Sequence, residues 1–245
     1  MTIDPDWIVP DWPVPARVKA LITTRAGGFS SGPYASLNLG LRTGDDAETV
    51  ARNRARLRDV LPDEPRWLKQ VHGNKVVDTE ASATGVQEAD ACIARGAATV
   101  CAVLVADCIP VLLSNRAGSV VAVAHAGWRG LAHGVIERTV EATGERPDDL
   151  LAFLGPGIGP LAFEVGADVR NAFLSVERRD AAAFTPHAPD KWLADLFMLA
   201  RHRLQRAGLS SISGGGLCTY AHPGRFFSYR RDRTTGRMAA LIWLE

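Results

Sequence analysis

Two histidines and a cysteine, His72, Cys108 and His125, each follow a β-prone run in this 245-residue chain. Trp67 to Val71 precedes the first, Ala102 to Asp107 the second and Val120 to Ala124 the third. Side chains leave the core and meet solvent at strand ends, so sites are built there. The intervals of 36 and then 17 positions match no zinc finger or other local clip, so these residues can meet only through the fold. Two imidazoles and a thiolate suit zinc, which takes nitrogen at about 2.0–2.1 Å and sulfur at about 2.3 Å. Three protein ligands leave the open position of a catalytic zinc, able to bring bound water towards a pKa of about 7. A buried free thiol beside two hydrogen-bonded imidazoles is the alternative that spacing leaves open.

Arg129 lies four positions beyond His125, in His125-Ala126-Gly127-Trp128-Arg129-Gly130, at the start of a predicted helix. A guanidinium at a helix start can bind an anion; an arginine stacked on Trp128 is the structural alternative. Cys101 is seven positions before Cys108, so on a continuous strand it faces the other side and belongs to the core. Cys92 and Cys218 read as packing thiols. His133 and His202 fall in predicted helices and His187 and His222 in loops beside prolines, where surface or capping roles are the default. Gly28 to Gly32 fits G-x-S-x-G but lacks the helix a nucleophile elbow needs. Gly155 to Pro160 has a proline where a dinucleotide loop would open its helix, and no phosphate-loop motif exists.

The elements that must position these residues alternate along the chain. Val18 to Thr24, Thr99 to Ala106, Pro110 to Ser114, Ser119 to Ala124 and Leu150 to Leu154 read as strands, several of them apolar enough to be covered on both faces. Asp45 to Leu61 reads as a helix with Val50, Leu57 and Leu61 inward, and its arginines at 52, 54, 56 and 58 as a solvated face. Leu131 to Thr143, Val165 to Val176 and Trp192 to Ala207 are also helical in pattern, and Arg225 to Arg230 with Arg237 to Leu244 form a hairpin signal. Turns between neighbouring strands are too short for helical crossovers and require antiparallel pairs. The expectation is an α+β fold, with β-sandwich-like central sheets flanked by helical layers, in a single domain over residues 1–245.

With 28 basic and 27 acidic residues the net charge is +1, which argues against nucleic acid or an anionic membrane as partner. The 47% apolar content excludes disorder. No 18-residue apolar run exists, and the first 15 residues carry aspartates and prolines where a signal peptide needs a positive start and an apolar core. A cytoplasmic protein with reduced thiols is the expectation.

Six segments together carry a resemblance: TTRAGGFSSGPYASLNLG from Thr23, KQVHG from Lys69, ADCIPVLL from Ala106, AHAGWRG from Ala124, LGPGIGPLAFEVG from Leu154 and RFFSYRRD from Arg225. In that order they resemble the laccase-domain, or multicopper polyphenol oxidase-like, family, whose members are also described as purine nucleoside phosphorylases and bacterial peptidoglycan editing factors. The resemblance implies a zinc held by His72, Cys108 and His125. It also implies phosphorolysis of adenosine, inosine, guanosine and methylthioadenosine to base and ribose 1-phosphate, with adenosine deamination as a second activity. Small nucleosides and phosphate are then the partners. Arg25 and Arg129 are candidate phosphate ligands, and Asn38 could hold a base or ribose edge unless it simply forms a turn. Editing hydrolysis of peptidoglycan precursors is the alternative. Copper would follow from the older oxidase label, but none of the six histidines forms a His-x-His pair.

Overall fold

In the strand Cys101–Val105 the side chains of Cys101, Val103 and Val105 enter one apolar cluster, and Ala102 and Leu104 enter another. The strand Ile109–Asn115 divides likewise, with Leu112 on one side and Val111 and Leu113 on the other. This is the two-residue period of strands buried on both faces. The computed structural model, which describes residues 3–81 and 85–245, builds four layers from it. Helices Val135–Thr143 and Leu196–Arg206 cover one face of a six-stranded sheet. That sheet's other face packs on a three-stranded sheet, whose outer face is covered by the helix Ala47–Arg58 through Leu57.

The six-stranded sheet runs Ser211–Gly214, Leu150–Leu154, Ile109–Asn115, Val121–Ala126, Ala91–Ala94, Val76–Asp78, antiparallel in the middle and parallel at each end. In the smaller sheet Met238–Leu244 lies between Val18–Ile22 and Cys101–Val105, antiparallel to both. Residues 106–108 therefore carry the chain from one sheet to the other. The sandwich with helical flanks agrees with the expected α+β class.

Several local expectations change. Arg225 to Arg230 forms no strand: Phe226 and Phe227, neighbours in sequence, both enter the same apolar cluster, which the alternating faces of a strand do not allow. The segment ends in a four-residue helix, Tyr229–Asp232, so the last strand pairs with distant strands and not with a local hairpin partner. The pattern from Val165 resolves into a strand, Glu164–Gly166, before the helix Ala167–Leu174. Lys191–Ala194 is likewise a strand, and the next helix starts at Leu196 because the Asp195 carboxylate accepts from Met198 N at 2.9 Å. The helix expected from Leu131 to Thr143 is two, Trp128–Ala132 and Val135–Thr143, broken at Gly134, whose φ of +82° suits glycine. Only Leu68–Lys69 of the run before His72 is strand, and His125 lies within Val121–Ala126. Among the described residues no helix is long and apolar enough to cross a membrane.

Candidate metal centre and its flanking cavities

Cys108 stands where the chain crosses between sheets. The preceding Asp107 has φ +91° and is held there by the Thr219 hydroxyl and the Arg230 amide, each donating at 2.6 Å to one carboxylate oxygen. His125 comes from the adjacent strand end, where it pairs with Pro110. His72 arrives on a loop, also with positive φ, +61°, a conformation costing about 1–3 kcal/mol that the surroundings must impose. Two side chains impose it. Gln70 bonds both the N–H and the carbonyl of Leu104, at 2.7 and 2.8 Å, pinning the loop to the small sheet. Asp90, fully buried, accepts from the amides of Val71, His72 and Gly73 at 3.1, 2.9 and 2.7 Å.

The result is a cluster in which one ligand atom from each of His72, Cys108 and His125 lies within 4.8 Å of the others. The spacing between the candidates, uninformative along the chain, is closed by the fold. The two imidazoles meet edge to face with centroids 4.8 Å apart. Asp90 Oδ1 also lies 2.9 Å from His125 Nδ1, which leaves Nε2 for a metal, the usual arrangement behind a metal-bound histidine. Gly127 completes the centre by having no side chain: a Cβ there would lie 2.6 Å from Cys108 Sγ and 3.3 Å from His72 Cδ2.

Electrostatics favour the metal-binding form of the thiol. Burial resists charge on Cys108, but the His125 imidazolium and hydrogen bonds from His125 and His72 bring its pKa down to about 6. Burial likewise opposes the charge on His125, yet the Cys108 thiolate and Asp90 raise it to about 9. Without metal, the pair is a thiolate–imidazolium couple near neutral pH. Cys101, by contrast, is a core thiol pushed up by its hydrogen bond to Cys92 and by burial. Cys218 accepts the Gly159 amide at 3.1 Å.

Two cavities meet at the cluster. One, about 360 Å³, is walled by Trp67, Leu68, Gln70, Val86 and Leu104; the other, about 510 Å³, by Trp128, Arg129, Tyr229, Arg230 and Arg233. Both reach His72, Ala106, Cys108 and Arg237. Arg129 thus shares the second cavity with the cluster and lies 4.4 Å over the Trp128 ring. Its helix, Trp128–Ala132, is only five residues long, so little dipole supports the anion-binding reading and the guanidinium itself must carry it.

Arg25 and Asn38 line neither cavity. The Arg25 guanidinium donates to the carbonyls of Ala35 and Pro223, both at 2.8 Å, and stacks on Phe227. Asn38 is buried, bonds Thr43 and Asp45, and accepts from the Arg237 amide at 2.9 Å. It therefore reaches the site only through Arg237. Asp90, Arg237 and Gln70 escaped the sequence reading. A lone acid opening an apolar strand, as Asp90 precedes Ala91–Ala94, was a usable signal.

The chain matches the family model described as multi-copper polyphenol oxidoreductase laccase over residues 19–245. The chain belongs to this family. It is 53% identical over 239 residues to purine nucleoside phosphorylase YfiH of Escherichia coli (strain K12), covering 97% of this chain and 98% of that one. It is 37% identical over 243 residues to a purine nucleoside phosphorylase of Mycobacterium tuberculosis, covering 95% and 94%. Among solved structures, Neisseria meningitidis protein NMB0706 superposes with a TM-score of 0.95 at 48% identity, over 98% of this chain and 99% of that one. YlmD from Geobacillus stearothermophilus superposes with a TM-score of 0.86 at 32% identity, over 94% and 93%. A multi-copper description needs several ligand groups, and among the described residues the potential metal cluster is one three-residue group.

Proposed function

We propose that this protein is a cytoplasmic, zinc-dependent purine nucleoside phosphorylase, its residues 1–245 acting as one catalytic domain. It would convert adenosine, inosine, guanosine or methylthioadenosine and phosphate to base and ribose 1-phosphate, and deaminate adenosine as a second activity. The observation that carries the reading is the convergence of His72, Cys108 and His125 between two cavities, in a chain about half identical to relatives named for that activity. The N,N,S donor set, with the second nitrogen of His125 held by Asp90, suits zinc and disfavours a hard cation. When bound, zinc supplies a Lewis-acidic position open to an oxygen ligand.

The chain's own groups do the rest. Asp90 fixes the His125 tautomer and the His72 loop together. Arg129 offers phosphate a planar fork. Asn38 holds the backbone of Arg237 at the junction of the cavities. Incubating zinc-loaded protein with inosine and phosphate should give hypoxanthine and ribose 1-phosphate. No product at any phosphate concentration would sink the reading.

One observation favours a second reading. Cys108, His125 and Asp90 stand in the order of nucleophile, base and orienting carboxylate, an arrangement that could cleave an amide of a peptidoglycan precursor. Such a hydrolase would keep its activity in rigorously metal-free protein, whereas the zinc-dependent phosphorylase would lose it.

A further inference from the structure

The two cavities differ in how their arginines are held. The second is bordered by the guanidinium groups of Arg129, Arg230, Arg233 and Arg237. Its carboxylate, Asp107, already accepts from Thr219 and the Arg230 amide, one bond to each oxygen. None of the four arginines forms a salt bridge among the described residues. Arg230 donates Nη1 to the Glu164 carbonyl at 2.7 Å, and Arg237 donates Nη1 to the carbonyls of Thr235 and Gly236, leaving each the remainder of its fork. Arg129 and Arg233 only lie over Trp128 and Tyr229, and their guanidinium N–H groups have no protein acceptor among the described residues. Four cations around about 510 Å³ with a single, already bonded carboxylate constitute a site built for a multiply charged oxyanion.

The first cavity is different in kind. Trp67, Leu41, Val86 and Leu104 give it apolar walls. Of its three arginines, Arg237 is shared with the second cavity, Arg54 donates to the Leu39 carbonyl at 2.9 Å and stacks on Trp67 at 4.1 Å, and Arg42 lies in the field of Glu88, so Arg42 is the comparison for the two arginines of the other cavity that lack an acceptor.

We propose that the two reactants occupy separate cavities: inorganic phosphate in the arginine-lined one, on Arg129 and Arg233, and the purine in the one walled by Trp67, with the ribose at the Cys108–Arg237 junction. The assignment rests on the phosphorylase reading. A phosphate oxygen then forms the bond to C1′ from the arginine side as the C1′–N9 bond breaks. The bonding pair leaves with the purine, and the proton of HPO₄²⁻ ends on the purine, giving ribose 1-phosphate dianion and neutral base. Arg233, whose exposed side chain appears in none of the six resembling segments, becomes a specificity residue for phosphate.

The test compares zinc-loaded wild type with R129Q, R233Q and, in the other cavity, R42Q. Inorganic phosphate is titrated calorimetrically into each, and the KM for phosphate is measured at saturating inosine. R129Q and R233Q should each weaken phosphate binding and raise its KM about tenfold or more, with the KM for inosine within twofold of wild type, zinc content unchanged and R42Q at wild-type phosphate affinity. Wild-type phosphate affinity in both R129Q and R233Q would overturn the assignment, as would an R42Q loss equal to theirs. A pocket that binds inosine 5′-phosphate but not inorganic phosphate would overturn it too. Arg-dependent phosphate binding without ribose 1-phosphate from any nucleoside would instead remove the phosphorylase reading and leave the oxyanion site standing.

Discussion

Asp90 joins two of the three candidate ligands: one oxygen lies 2.9 Å from His125 Nδ1 and accepts from the His72 amide at the same distance. A single fully buried carboxylate thereby sets the orientation of one imidazole and the backbone conformation that delivers the other. Burial works against its charge, but His125 and the loop amides outweigh burial and hold its pKa below the ordinary aspartate value. Replacing it by asparagine keeps the shape and removes the charge. D90N should bind zinc about 10–100-fold more weakly, the range typical of groups behind metal ligands. Chelator competition measures this; unchanged affinity would show that His125 needs no carboxylate.

Cys108→Ala should lose zinc and turnover together while the protein stays folded. The three apolar clusters lie between layers of the sandwich, and the thiol is at their end, so little packing is lost. Metal analysis beside circular dichroism decides it: full zinc and full turnover in this variant would disprove the ligand assignment.

Gly127→Ala probes geometry without touching a ligand. The new methyl would stand 2.6 Å from Cys108 Sγ, a separation that forces either the thiol or the strand end to move. Zinc affinity should fall, and overpacking of this kind costs about 1–3 kcal/mol of stability. A Tm and zinc affinity equal to wild type would mean that the loop yields freely.

Arg129→Lys keeps charge and loses the planar fork. Phosphorolysis should fall about tenfold or more, equivalent to roughly 1.4 kcal/mol, while adenosine deamination, which consumes water and no phosphate, and zinc content change little. If the stack on Trp128 is the real role, the loop carrying His125 loosens and all three quantities drop together.

In metal-free protein the Cys108 thiol is held down to about 6, so its alkylation by iodoacetamide should rise with pH through about 6 and level off by neutrality. Removing the imidazolium in H125A takes away the principal stabilising charge, and the midpoint should move upward towards that of an ordinary thiol. Added zinc should protect the thiol in wild type. A midpoint near the ordinary cysteine value in wild type would contradict the thiolate–imidazolium pair.

Features that depend on local pattern were legible along the chain. Continuous apolar runs placed the central strands, aspartates at its start and the spacing of Val50, Leu57 and Leu61 placed the long helix near its observed Ala47–Arg58, and residue chemistry singled out His72, Cys108 and His125. Where periodicity was short or mixed it misled: the adjacent Phe226 and Phe227 looked like strand but fill one layer of the core from an irregular segment, and Trp192 belongs to a strand ahead of its helix. The change of sheet at Asp107, which brings Cys108 to the same end of the sandwich as His125, exists only in the packed fold. That fold alone showed Asp90 behind both imidazoles, Arg25 spent on backbone carbonyls, and four arginines around one cavity. These facts join residues far apart along the chain, from Arg25 with Pro223 to Asp107 with Thr219, and no local spacing encodes a contact that is closed only when two sheets pack.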